Sequence, residues 1–215
     1  PTLWLARELG MDPIIDLAHR LGVWGLRGVV KDNHGKVVFK IPGIENTGNG
    51  LVPLLPTAIG ASDVNLIELT NAFAVFLRGG TYLPPRLILE VKDADGQILF
   101  KVPEPREERE ISEKTARQIV IMSRAVTKVG TAKISMRNIE QQMAVKTGTS
   151  NGPDNVSILG GNPKRVIGIR FGHDWPKPIE LPQYMKHVSG RADMQVTGGW
   201  VAGLLLRRIV DQIYA

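Results

Sequence analysis

Residues 142–172 read QMAVKTGTSNGPDNVSILGGNPKRVIGIRFG, and their reading decides the fold. Three strand-like segments follow one another: Gln142 to Thr149, Asn155 to Gly161, and Arg165 to Gly172. Each has the length and the β-branched content of a strand. Asn162-Pro163 makes a turn between the last two. Strands joined so closely form an antiparallel meander, because parallel pairing needs a long crossover.

Outward from this core the pattern becomes helical. An irregular stretch runs from His173 to Gln195, and Gly198-Gly199 then leads into a last helix. Its residues Val201, Leu204, Leu205, Ile209 and Ile213 are expected to face a core. Upstream, Ser112 can cap a helix carrying Ile119, Ile121, Met122 and Val126, behind a charge run, Pro105 to Lys114, that reads as solvated loop. Asn65 caps an earlier helix, with Glu68 three residues on as a capping box and Leu66, Leu69, Phe73 and Phe76 on one face. Gly79-Gly80 stops it. Ile44 to Pro56 is a loop rich in Gly, Asn and Pro. At the start, Leu3 to Leu9 reads as a helix tail. Asp12 as N-cap and Pro13 at the first helical position open a helix with the stripe Ile14, Leu17, Ala18 and Leu21, ended by Gly22.

Two hairpins complete the pattern: Val29 to Pro42, turning at Asn33-His34-Gly35, and Leu87 to Pro103, turning at Asp95-Gly96. Val30-Lys31-Asp32 matches Val91-Lys92-Asp93, and Gly35, Phe39, Lys40 and Pro42 match Gly96, Phe100, Lys101 and Pro103, at a constant offset of 61 positions. Either a short unit is duplicated or two exposed hairpins share turn chemistry. Helices, then a meander, then a closing helix predict an α+β fold, an antiparallel sheet with packed helices.

The chain has 215 residues, 43% of them hydrophobic, with mean hydropathy −0.04. That suits one domain, or a large piece of one, and not a disordered chain. Cysteine is absent, so disulfides and thiolate metal sites are excluded. The longest near-apolar run, Val201 to Leu206, falls far short of the roughly 20 residues that span a bilayer. Net charge is +6 and the isoelectric point about 9.7. The basic residues are spread along the chain and read as solvated surface, with no nucleic-acid stripe. The opening at Pro1, in helix-like sequence without a signal peptide, reads as a fragment whose N-terminal part lies elsewhere.

Lys146-Thr147-Gly148-Thr149-Ser150 is the candidate site. A Lys-Thr-Gly triplet arises by chance in a chain this long on the order of a few times in a hundred. Its setting, a strand end followed by two strands and a Gly-Gly-led helix, is the order of serine transpeptidases and serine β-lactamases. Lys146 would place a cation beside a nucleophile and a substrate carboxylate. Thr147 and Thr149 hydroxyls, with Ser150, would bind that carboxylate. Gly148 would let a substrate backbone lie along the strand edge, and the Thr149 N–H would face a developing oxyanion. The bland reading, a solvated strand end, stands beside this one.

Other stretches carry a resemblance. Leu55-Pro56-Thr57-Ala58-Ile59-Gly60-Ala61-Ser62, Val64-Asn65-Leu66-Ile67-Glu68-Leu69, Phe76-Leu77-Arg78-Gly79-Gly80 with Pro84-Pro85, Val129-Gly130-Thr131-Ala132, Ala144 to Ser150 and Val196-Thr197-Gly198-Gly199 occur in that order. Together they resemble the C-terminal half of the transpeptidase domain of class A, bifunctional penicillin-binding proteins. The likeness implies a β-lactamase/transpeptidase-like fold over residues 1–215, with an inserted hairpin near 28–42. It implies a serine-type D,D-transpeptidase acting on peptidoglycan stem peptides ending in D-Ala-D-Ala and acylated by β-lactams. It also implies a glycosyltransferase companion, no cofactor, and residence at the periplasmic or extracytoplasmic face of the bacterial cytoplasmic membrane, anchored only through an N-terminal segment outside this chain.

Two motifs of that family are missing. No serine is followed by lysine at the third position, and none by asparagine at the second. The family keeps both motifs upstream of Lys-Thr-Gly. The resemblance therefore assigns the acylated Ser, its Lys base and the second Ser to an upstream part of the polypeptide, and this chain alone is expected to be inactive. Asn155-Val156-Ser157 stands where the family has Ala-Trp-Phe, which puts substrate recognition in question. A non-catalytic scaffolding or peptidoglycan-binding module is the alternative, and a β-lactamase-like hydrolase a third reading. His19, His34, His173 and His187 lack metal-ligand spacing, no phosphate-binding glycine fingerprint is present, and the four tryptophans are too dispersed for a stacking platform.

Overall fold

A computed structural model describes residues 1–25, 51–139, 141–173, 177–180 and 196–214, together with the backbone of 29–31 and 37–40. The meander forms as expected: β7 (Ala144–Thr149), β8 (Asn155–Asn162) and β9 (Arg165–Gly172) make one antiparallel sheet in the order β7-β8-β9. Their side chains alternate between the two faces. One face, through Val145, Val156, Ile158 and Ile169, packs on Ala202, Leu206 and Val210 of the closing helical segment. That segment begins as a π-helical turn, Gly198–Ala202, and continues as helix α5, Gly203–Ile213. The other face, through Ala144 and Leu159, packs on Phe73, with Leu69, Leu77 and Val120 around it. These come from α3 (Leu66–Leu77) and α4 (Glu113–Lys128). Consecutive glycines show the two-sidedness directly: an added Cβ would strike Leu206 of α5 at Gly160 and Leu77 of α3 at Gly161.

The last helix shows a shift of phase. The residues that bury are Ala202, Leu206 and Val210, whereas Leu205 and Ile213, expected to be inside, are exposed. From Gly203 on the segment is regular α-helix, so the stripe is set by how it is seated: the i, i+4 row Ala202, Leu206 and Val210 faces the sheet. Helix α3 is buried on more than one side, with Ala72, Phe73, Ala74 and Val75 all inside, because it separates the sheet from a second core. That core gathers Leu21, Val23, Leu51, Ala72, Val75 and Ile111 around α2 (Asp12–Arg20), behind the opening helix α1 (Thr2–Leu9).

Several local expectations need correction. Asn65 does cap α3, accepting from Ile67 N at 2.8 Å, but Glu68 does not close a capping box. Its carboxylate accepts from Trp24 N at 3.1 Å and so ties the α2 exit to α3. Asp12 is the first helical residue, Met11 holds the cap position, and Ile15 rather than Ile14 joins the core. The charge run is not all loop: β6 (Glu108–Arg109) pairs with β3 (Thr81–Tyr82). Glu110 N and Ile111 N both donate to Gly80 O, at 3.0 and 3.2 Å. Gly80 has φ 95°, and a Cβ there would strike the Ile111 carbonyl, so the helix stop and the close approach both require glycine. In α4, capped by Ser112 accepting from Thr115 N at 3.1 Å, Ile121 and Met122 are exposed while Ala116 is fully buried.

Both hairpins form, as β1 (Val29–Lys31) with β2 (Val37–Lys40) and β4 (Glu90–Lys92) with β5 (Ile98–Lys101). Their registers coincide pair for pair, Val29↔Lys40 with Glu90↔Lys101 and Lys31↔Val37 with Lys92↔Ile98, and each has an irregularity at the same place. The first turn, Asn33-His34-Gly35, lies outside the described residues, as do His187 and Asp174.

Candidate functional site

Strand β7 pairs only with β8 among the described residues, so its other edge is open. Beyond the strand end, Ser150 N donates to Asn155 O at 2.9 Å. Antiparallel ladders alternate, so Gly148 and Lys146 also bond toward β8. The N–H groups of Thr147 and Thr149 therefore point to the open edge, a row of donors at which an extended peptide or an oxyanion can be held.

The same alternation divides the motif between the two faces. Lys146 and Gly148 lie on the α3–α4 face; Thr147 and Thr149 lie on the α5 face. Lys146 is exposed and its Nζ donates to Thr147 O at 2.6 Å, which keeps the ammonium beside the open edge. Thr147 Oγ1 shares a hydrogen bond with Thr131 Oγ1 at 2.7 Å. Thr149 Oγ1 accepts from Gly198 N at 3.0 Å. Each threonine hydroxyl is thus fixed by a residue distant in sequence. Thr131 and Gly198 lie in stretches that carry family resemblance, but only the fold shows what they touch.

The approach of Gly198 depends on its missing side chain. A Cβ there would strike Gly148 O and Ser157 O, both backbone atoms of the sheet. Gly199 is seated in the same way against Thr131 O, and the buried Ser135 hydroxyl donates to Gly199 O at 2.5 Å. Gly148 is constrained too, because the Ser157 hydroxyl fills the space a Cβ would take. Ser157 thus occupies the floor beside the motif on β8.

Ser150, expected to touch substrate, is engaged in the turn after β7. Its hydroxyl donates to the Asp154 carboxylate and accepts from Asn155 N at 2.9 Å. The Ser150 hydroxyl, first among several hydrogen bonds, holds the Asp154 carboxyl below its usual range. Among the described residues no group of three His, Asp or Glu side chains could hold a metal ion, and no helix is long and apolar enough to cross a membrane. His19 stacks on Trp24 with ring centroids 4.5 Å apart, a packing role.

Comparison with known proteins identifies the family and the fold. Residues 2–155 match the family described as penicillin binding protein transpeptidase domain. Penicillin-binding protein 1A of Rickettsia typhi is 24% identical over 200 residues, covering 83% of this chain and 22% of the relative. Penicillin-binding protein 1A of Aquifex aeolicus is 32% identical over 154 residues, covering 71% of this chain and 20% of the relative. The chain thus spans about a fifth of these relatives. The solved structure of PonA1 from Mycobacterium tuberculosis in complex with penicillin V superposes with TM-score 0.69 at 16% identity, over 94% of this chain and 50% of that one. The α+β architecture is that of the penicillin-binding proteins, and the chain belongs to the penicillin-binding protein transpeptidase domain family.

Proposed function

We propose that residues 1–215 are the C-terminal part of a serine D,D-transpeptidase domain and supply its substrate wall, with the nucleophile coming from another part of the polypeptide. The observation that carries this reading is the open β7 edge, where Lys146, Gly148 and the outward N–H groups of Thr147 and Thr149 converge. A stem peptide lies along that edge, its terminal carboxylate meeting the Lys146 ammonium and the threonine hydroxyls. The Ser oxygen attacks the penultimate D-Ala carbonyl carbon. Charge builds on the carbonyl oxygen toward the Thr149 N–H. The C–N bond breaks, and terminal D-Ala leaves as an amine after taking the proton. An amine of a neighbouring stem peptide then attacks the ester, the C–O bond breaks, and the serine oxygen regains a proton. A β-lactam opens its ring by the same first step and stays as the ester. The relatives named penicillin-binding proteins and the PonA1 complex with penicillin V support this reading. It implies action at the extracytoplasmic face of a bacterial membrane, where peptidoglycan is built.

The test is covalent labelling of the folded full-length protein by a fluorescent penicillin. Labelling is expected there and is expected to fall sharply in Lys146→Ala. The isolated 215 residues, which contain no Ser-x-x-Lys, are expected to take no label by mass spectrometry. Absence of label in the folded full-length protein would remove the catalytic reading. It would leave the non-catalytic module, which Ser157 on the floor of the site favours, since a small polar residue there gives substrate little apolar surface.

A further inference from the structure

Four basic residues, Arg124, Lys128, Lys133 and Arg137, recur at four- to five-residue spacing, and the fold turns them toward one space. A cavity of about 820 Å³ opens between the C-terminal half of α4, the segment after it and the entry to β7. Arg124, Lys128, Lys133 and Arg137 line it, with Gln141 and Gln142 adding amide groups. Among the described residues no carboxylate lines this cavity, and none of the four cations is in an ion pair. Glu140 lies outside the described residues.

Lys128, Lys133 and Arg137 are exposed, so an anion can reach them from solvent. Arg124 and Lys128 stand four apart on α4, and like charges at that spacing weaken a helix. Lys133 and Arg137 bring two more cations to the same space. The Arg124 Nε is enclosed and has no hydrogen-bond acceptor, a donor removed from water without compensation. An oxyanion in the cavity would offset the mutual repulsion of the four cations. The guanidinium fork matches phosphate oxygens in a bidentate way, and lysines add point charges. The volume falls in the range of small-ligand pockets and exceeds what a single phosphate fills.

We propose that this cavity binds a multivalent phosphate ligand, one bearing two or more phosphate groups. It is separate from the open edge of β7: Gln142 and Met143 border it at the strand's beginning, whereas Lys146 to Thr149 lie further along. The two sites are joined by the chain from Thr131, bonded to Thr147, through to Met143.

The probe is inorganic tripolyphosphate, titrated calorimetrically into the full-length protein at physiological ionic strength. One-to-one binding is expected. Arg124→Gln with Lys128→Gln should weaken it by about tenfold or more, as should Lys133→Gln with Arg137→Gln on the neighbouring segment. Lys164→Gln, at the β8–β9 turn, should leave it unchanged. Co-sedimentation with phosphatidylglycerol vesicles, set against phosphatidylcholine vesicles, separates the two sources. Vesicle binding that tripolyphosphate displaces and both double variants abolish assigns the ligand to lipid headgroups. Tripolyphosphate binding without vesicle binding assigns it to a free phosphate compound. The proposal is overturned if neither probe binds, if binding survives both double variants, or if it emerges only in Glu140→Gln, which would mean the chain neutralises its own cavity.

Discussion

Substituting Gly198 by Ala tests whether the closing segment is seated on β7 as described. The new methyl would meet Gly148 O and Ser157 O, each at under 3.0 Å. Both belong to paired strands and cannot step aside as a side chain tip would. Overpacking costs roughly 1–3 kcal/mol, and two fixed backbone oxygens place this site at the upper end. Withdrawal of Gly198 also loses its bond to Thr149 Oγ1, worth about 0.5–1.5 kcal/mol more. A local loss of about 3.5–4.5 kcal/mol follows, equivalent to roughly a 400- to 2,000-fold rise in local opening. Amide hydrogen exchange by mass spectrometry on peptides covering β7 and β8 reads this directly in the full-length protein. Gly96→Ala is the control: φ there is 82° and nothing lies within 4 Å of the added Cβ, so strain should stay in the β4–β5 hairpin. The reasoning is refuted if Gly198→Ala speeds exchange in β7 and β8 less than about tenfold, or no more than Gly96→Ala does.

Three further outcomes are expected. Leu206→Ala removes a side chain with no exposure from the α5–sheet core, and the thermal or urea transition should report a loss of about 2–5 kcal/mol. Thr131→Val deletes the partner of the Thr147 hydroxyl at nearly constant shape; penicillin acylation of the full-length protein should slow, with Thr131→Ser restoring it and the melting temperature little changed. For Asp154, the Ser150 hydroxyl favours the ionised carboxylate in the fold, so its contribution is present above the ordinary carboxyl range and lost as pH falls through the depressed value. Asp154→Asn should therefore lower the melting temperature near neutral pH, and the gap from the unsubstituted protein should close in acid.

Much of this structure is determined locally and was legible without coordinates. The three sheet strands follow from their apolar content and turn residues, the caps at Asn65 and Ser112 from side chains able to accept a backbone N–H, and Lys146 to Thr149 from the chemistry of those residue types at a strand end. The matching registers of the two hairpins were already implicit in their shared residues. What stayed hidden depends on neighbours remote in sequence. Glu68 left its expected cap because Trp24 N competes for it. The buried stripe of the last helix differs from the expected one because packing against the sheet, with Gly198 and Gly199 pressed onto Gly148, Ser157 and Thr131, sets how the segment is seated. Tertiary structure alone left one edge of β7 unpaired among the described residues and fixed its two threonine hydroxyls with Thr131 and Gly198. Periodicity reports how a side chain faces its own segment, but only packing brings segments together, and sites are made where they meet.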